Sequence, residues 1–211
     1  MAQTDKTKGP KGISTFIVEK NYPGFFVAKK ERKLGIRSSD TVSLAFQDCR
    51  VPAENRIGEE GFGFKFAMKT LDGGRVGIAS QAMGIAMAAL EESVKYAKQR
   101  KSFGKYLAEH QAIQFKIADM QTKIDAAQML VLHAAATETD DPAFSTLAAE
   151  SKLFASKIAV ECALEAIQIH GGYGYCKDYP VERLLRDSKI TEIYEGTSEV
   201  QKIVISRSLL K

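Results

Sequence analysis

The sequence predicts a mostly α-helical chain: an antiparallel helical bundle preceded by a partial antiparallel β-domain. Three observations carry that reading. Residues before about 58 alternate short β-prone runs with turn residues, and residues after it keep the 3-4 spacing of amphipathic helices. The predicted helices are long, their apolar stripes contain many small residues, and their connections are short, as in a bundle. The β-prone runs number only three, too few to close a sheet with protected edges. The division is placed at 57/58, giving a β part over 1–57 and a helical part over 58–211.

The elements follow in order. "GISTFIVE" (12–19) alternates Ile13, Thr15 and Ile17 against Phe16 and Val18, which predicts a strand covered on both sides. "YPGF" (22–25) is a turn leading into Phe25, Phe26 and Val27. "TVSLAFQDC" (41–49) places Val42, Leu44 and Phe46 on one face and predicts a half-buried strand. The first clear helical stripe runs from Ala79 to Ala97, and the second, over about 108–138, joins Ile113, Ile117, Met120, Ile124, Ala127 and Val131. A third helix starts near "DDPAF", with Asp141 as cap and Pro142 in the first helical position. Its stripe runs from Phe144 through Ser151, Ile158 and Cys162 to Ile169, and "GGYGY" (171–175) ends it. "YPVERLLRDSKI" and "TSEVQKIVISRSLLK" predict two shorter helices, the last opened by a Ser198–Gln201 capping box.

Composition narrows the function classes. With 45% hydrophobic and 27% charged residues the chain is an ordinary globular one, and no apolar run approaches a bilayer span of about 20 residues. The N-terminal "MAQTDKTKGPKG" lacks the apolar region of a secretory signal. A net charge of +4, scattered along the chain, argues against a nucleic-acid surface. Cys49, Cys162 and Cys176 show neither metal-ligand spacing nor an even disulfide set, which suits a reducing compartment. His110, His133 and His170 form no HxxxH or HxxE pair, so no metal site is expected.

Three stretches could carry chemistry. Glu195 sits between an aromatic and a glycine just before a helix start, whose free N–H groups could bind an anion or a polarised carbonyl. Read alone, it is a surface carboxylate stabilised by the helix dipole, the usual reading of an acid at a helix start. "QIHGGYGY" (168–175) has three glycines in four residues after a helix, either a close approach to a ligand or a C-cap with a loose loop. In "KQRKSFGKYLAEHQAIQ" (98–114) Arg100, Lys101 and Lys105 bracket Phe103, a turn able to hold a phosphate and stack on a flat ring, or simply solvated charge.

These stretches occur together with "GIRSSDT" (35–41), "LDGGRVGIASQAMG" (71–84) and "IYEGTSEVQKIVISR" (193–207) in one order. In this the chain resembles the acyl-CoA dehydrogenase family, most closely its short-chain (butyryl-CoA) branch, over about residues 2–211. The resemblance implies the acyl-CoA dehydrogenase fold, with 1–57 as part of the middle β-domain and 58–211 as the C-terminal bundle domain. It also implies FAD and dehydrogenation of a short-chain acyl-CoA thioester between Cα and Cβ to the trans-2-enoyl-CoA. Electron-transfer flavoprotein would be the acceptor, and the assembly a homotetramer built as a dimer of dimers. The location would be cytoplasm in a bacterium or mitochondrial matrix in a eukaryote, without membrane insertion.

By resemblance Glu195 is the catalytic base. The family's alternative base lies on the helix whose start matches "LDGGR", and Gly74 occupies that position here. Removing a proton from a weak carbon acid calls for a desolvated base and for hydrogen bonds to the thioester oxygen. Arg100, Phe103 and Gln111 match positions that reach the FAD of a neighbouring subunit, and Gln168, Ile169, His170, Gly171 and Gly172 match a loop along its phosphate and adenosine end. Thr197, Ser198 and Glu199 match further FAD contacts, and Asp72, Gly73, Gly74, Arg75 and Gly196 match acyl-CoA contacts. The family's N-terminal helical domain and the first half of its β-domain have no counterpart in these residues. A non-catalytic helical assembly module without a complete flavin site is therefore the alternative expectation, and an oxidase of the same fold a third.

Overall fold

The computed structural model describes residues 1–210. The chain divides into two units, Met1–Lys33 with Arg37–Leu71 and Leu34–Ile36 with Asp72–Lys211. In the first, β2 (Ile13–Phe16) lies between β1 (Ala2–Gln3) and β5 (Arg56–Ile57) in an antiparallel sheet, with Ala2 opposite Ser14 and Thr15 opposite Ile57. Ser14 is fully buried, and its hydroxyl is satisfied by Thr4 at 2.8 Å and by the Gly61 N–H at 2.9 Å. β2 is shorter than the predicted 12–19 run because its pairing with β5 ends at Phe16 opposite Arg56.

A separate antiparallel ribbon joins β3 (Phe25–Lys30) to β4 (Val42–Phe46), entered through the expected turn with Gly24 at φ +82°. The predicted half-buried face of β4 is not buried: Leu44 and Phe46 are exposed, as are Phe26 and Val27. A two-stranded ribbon has no second layer, and its apolar side chains pack mainly across the strands, as Phe25 does on Phe46 at 5.0 Å.

Helical structure takes over at α1 (Gly63–Gln99), a few residues beyond the predicted change at 58. "LDGGR" falls in its interior and not at a helix start. Glycine lowers helix propensity by about 1 kcal/mol without removing a backbone hydrogen bond, so the flanking residues carry the helix through. The second unit continues with a hairpin of β6 (Lys101–Ser102) and β7 (Lys105–Tyr106), then α2 (Gln111–Ala136), α3 (Phe144–His170), α4 (Val181–Ser188) and α5 (Ser198–Leu209). Tight 3₁₀ turns occupy Gly171–Tyr175 and Lys189–Glu192. Asp141 caps a preceding turn and not the helix, accepting the Ala143 N–H at 2.7 Å, and the helix proper starts at Phe144, two residues later than predicted.

α3 is the central helix, packed on α2, α4 and α5. Lys116 pairs with Glu165 and Lys123 with Glu161, so position rises on α2 as it falls on α3, and the two run antiparallel. Their seam, with α1, is largely small: Ala82, Ala86, Ala89, Ala127, Ala155, Ala159 and Ala163 have no exposed surface, and Met83, Met120, Ile124 and Ile158 fill the space between them. Alanine brings the axes close, and the larger side chains interdigitate. The Leu34–Ile36 segment belongs to this unit through α4. The Ile36 N–H donates to Asp187 at 2.7 Å, Arg186 donates to the Leu34 carbonyl at 2.9 Å, and a Cβ on Gly35 would lie 2.3 Å from the Arg186 carbonyl oxygen. Among the described residues no helix is long and apolar enough to cross a membrane.

Candidate active site

The chain leaves the Lys189–Glu192 turn and reaches α5 through a short bend at Glu195 and Gly196. Both residues are left-handed, with φ +54° and +90°. That conformation is free for glycine but costs a side-chain-bearing residue about 1–2 kcal/mol, and it persists only where the surroundings hold it. Here two buried side chains hold it. Lys152 of α3 donates from Nζ to the Gly196 carbonyl at 2.7 Å. Gln201 of α5 donates from Nε2 to the same carbonyl at 2.8 Å and to the Glu195 carbonyl at 3.2 Å. The predicted Ser198–Gln201 capping box does not form, because the Gln201 amide is turned back onto the bend. Thr197 caps α5 instead, its hydroxyl accepting the Val200 N–H.

The Glu195 carboxylate turns toward α1. A Cβ built on Gly74 would lie 2.5 Å from its Oε2 and 3.0 Å from its carboxyl carbon, so a side chain at 74 would displace the carboxylate from this position. Tyr194, alongside, donates its hydroxyl to Gln81 of α1, and burial raises its phenol above the ordinary value. The Glu195 N–H has no partner among the described residues. Next to Gly74, Arg75 is buried and pairs with Asp72, which also accepts the Ser145 hydroxyl at 3.1 Å. Gly73 faces open space on the exposed side of α1. The structure thus brings Glu195, Gly196 and Gly74 together and places Asp72 and Arg75 beside them as an ion pair.

The other candidates fall in two further places. Thr197, Ser198 and Glu199 line a cleft of about 850 Å³, with Phe154, Lys157 and Lys202 among its walls. The Glu199 carboxyl is held below its ordinary value by its own backbone N–H and by Thr197. Arg100, Ile169, His170, Gly171 and Gly172 line a second cleft of about 410 Å³, shared with Tyr96 and Tyr173. Arg100 lies over the Tyr173 ring at 5.6 Å. His170 is buried and stacked on Tyr96 at 4.2 Å. Its Nδ1–H donates to the Ala166 carbonyl at 2.7 Å, and its Nε2 has no partner. Burial pushes the imidazole below its ordinary value and favours the neutral ring. Ile169 belongs to the core, so only its backbone is available to a ligand, whereas Gln168 and Gln111 are exposed at helix ends.

Phe103 stands at the tip of the β6–β7 hairpin, 95% exposed. With Gly104 it makes a two-residue turn with positive φ at both positions, +50° and +82°. That is the signature of a type I′ turn, in which asparagine normally precedes glycine. The ring's aromatic contact within the fold is an edge-on one with His110, centroids 6.5 Å apart. Sequence reasoning missed Lys152, Gln201 and Gln81. One signal was present: Lys152 follows Ala148 and precedes Ser156 by one helical turn each, a lysine inside a stripe of small residues.

One stability outcome follows from the hairpin. Phe103→Asn is expected to raise global or local stability by up to about 1 kcal/mol, because asparagine tolerates the left-handed region. Thermal denaturation and amide exchange at Lys101–Tyr106 measure it. A loss of stability would mean the ring supports the fold.

Residues 61–210 match the family "Acyl-CoA dehydrogenase, C-terminal domain". The chain is 54% identical over 210 residues to a short-chain-specific acyl-CoA dehydrogenase of Clostridium acetobutylicum, covering 100% of this chain and 55% of the relative. It is similar to the solved structure of butyryl-CoA dehydrogenase from Megasphaera elsdenii, with TM-score 0.97 and 55% identity over 100% of this chain and 55% of that one. A solved acyl-CoA dehydrogenase from Bacillus anthracis complexed with FAD is 35% identical, with TM-score 0.87, over 93% of this chain and 37% of that one. The chain spans about half the length of the curated relatives it matches. The family match and the agreement of fold both span the elements that build the Glu195 bend, and this chain belongs to the acyl-CoA dehydrogenase family.

Proposed function

We propose that this chain carries the proton-abstracting part of a short-chain acyl-CoA dehydrogenase, which converts an acyl-CoA thioester to the trans-2-enoyl-CoA with FAD as cofactor. The observation that supports it best is the Glu195 carboxylate held in a left-handed bend against Gly74. Similarity to the Clostridium and Megasphaera proteins supports the substrate class. Residues 1–57 would then be part of a middle β-domain and 58–211 the C-terminal bundle domain, in a homotetramer that passes electrons to an electron-transfer flavoprotein. Likeness to a chain 54% identical to this one, in a solved structure described as the electron transferring flavoprotein of Acidaminococcus fermentans, supports that last partner.

The residues fit a flavin. His170, whose buried Nε2 is unpartnered, lines the smaller cleft beside Arg100 and a backbone left open at Gly171 and Gly172, where an added Cβ would meet nothing within 4 Å. Arg100, Phe103 and Gln111 would reach the FAD of a neighbouring subunit, Gln168 and the His170–Gly172 backbone would lie along that cofactor's phosphate and adenosine end, and Thr197 to Glu199, in the separate larger cleft, would offer further polar contacts to FAD. The chemistry the bound flavin supplies is acceptance of the hydride from Cβ. Glu195 takes the proton from Cα, and the electrons of that C–H bond become the Cα–Cβ double bond as the Cβ hydride departs. The free Glu195 N–H is the donor available to the thioester oxygen, where charge builds as Cα loses its proton. Tyr194, half-buried beside the bend, would limit the access of water to it from that side.

Two substitutions check this. Glu195→Gln keeps the shape but cannot accept a proton, and a lost general base typically costs roughly 10²–10⁴-fold. Anaerobic flavin bleaching by butyryl-CoA should fall by at least that much with FAD content unchanged, and bleaching at the parent's rate would remove Glu195 from the role. Gly74→Ala separates stability from function. The new methyl meets only the mobile end of Glu195, so helix propensity should preserve or raise the melting temperature while displacement of the carboxylate lowers turnover. Full turnover in Gly74→Ala would show that the observed carboxylate position is not the working one.

A further inference from the structure

Lys152 takes no part in the proton transfer described above, yet it is the largest fully buried side chain of the described residues. Taking an ammonium out of water costs several kcal/mol, and a cation in a stripe of alanine and serine therefore needs a reason to be there. Its hydrogen-bond partner is the Gly196 carbonyl. That carbonyl is already satisfied by Gln201, so the lysine is not required to avoid an orphaned acceptor. What a second donor adds is direction. Gln201 approaches from α5 and Lys152 from α3, and together they fix the plane of the peptide that follows the left-handed pair. That plane sets ψ of Gly196 and φ of Thr197, so holding it anchors the bend on the α5 side, while Gln201 also holds the Glu195 carbonyl, whose peptide sets ψ of Glu195 itself.

We propose that Lys152 is a positioning residue for Glu195, gripping the Gly196 carbonyl so that the bend presents the carboxylate to the substrate carbon. This rests on Glu195 being the base. The surroundings agree with a group retained for geometry at some expense in stability. Glu192, Glu195 and Glu199 favour the charged form and Arg75 opposes it, but burial outweighs them and lowers the ammonium to about 8. Because the folded value lies below the ordinary 10.5, the penalty of holding the cation is fully present below about pH 8 and fades as pH rises toward 10.5.

Lys152→Met in the holoenzyme tests the proposal, since methionine keeps the length without the donor or the charge. The expected result is a fall in kcat of about tenfold or more, with KM for butyryl-CoA and FAD content within about twofold and the pH 7 melting temperature equal or higher. A kcat within about twofold of the parent overturns the proposal, whatever happens to the melting temperature, because a purely structural lysine moves stability and not kcat. If Lys152→Met does not yield folded holoprotein, Lys152→Gln is measured in its place against the same two outcomes. Glu195→Gln is run in parallel. If it stays active, the base assignment itself fails; if it is inactive while the Lys152 variant is unaffected, only the positioning role fails.

Discussion

The account depends on one constraint, the left-handed bend at Glu195–Gly196. A glutamate does not adopt φ +54° unaided, and the energy that holds it there comes from inside the bundle. Two donors on two helices converge on the carbonyl after the bend, and a third helix meets the carboxylate with bare backbone at Gly74. α1, α3 and α5 must therefore all come within side-chain reach of the bend. The alanine-rich seams of the core make such an approach possible, since bulkier stripes would push the helix axes apart. Core packing and site geometry are the same requirement expressed at two distances.

The remaining candidate residues share a different property. Phe103, Gln111, Gln168 and the Gly171–Gly172 backbone face outward, and the strain at Phe103 brings the fold little beyond an edge contact with His110. Strain kept on an exposed side chain is expected where a ligand or neighbouring surface uses that side chain. The inward bend at Glu195 and the outward hairpin at Phe103 are thus two instances of non-glycine residues held at positive φ, one supported from within the bundle and the other left free to contact something beyond it.

Most of the helical architecture was legible from periodicity. The stripes read for α1, α2 and α3 are the buried ones, because in long helices burial repeats often enough to dominate local composition. Legibility failed where a side chain's partner is far away in sequence. Leu44 and Phe46 alternate as a buried face does, but alternation reports a face and not whether anything covers it. Ser198 and Gln201 have capping-box spacing, yet the Gln201 amide is drawn to the bend instead. Lys152 was passed over because lysine is read as solvent-facing, and only the position of Gly196, 44 residues on, gives it a use. Glu195 was visible as an unusual acid between Tyr194 and Gly196, but its opposition to Gly74 is a tertiary fact.

That opposition gives the most direct test. Glu195→Gly removes the carboxylate and clears the space against α1, and adding Gly74→Glu returns a carboxylate to nearly the same point from the other wall. Anaerobic flavin bleaching by butyryl-CoA is the measurement. The account predicts that bleaching is lost in Glu195→Gly and partly regained in the Glu195→Gly/Gly74→Glu pair. Bleaching by Glu195→Gly at the parent's rate would contradict it.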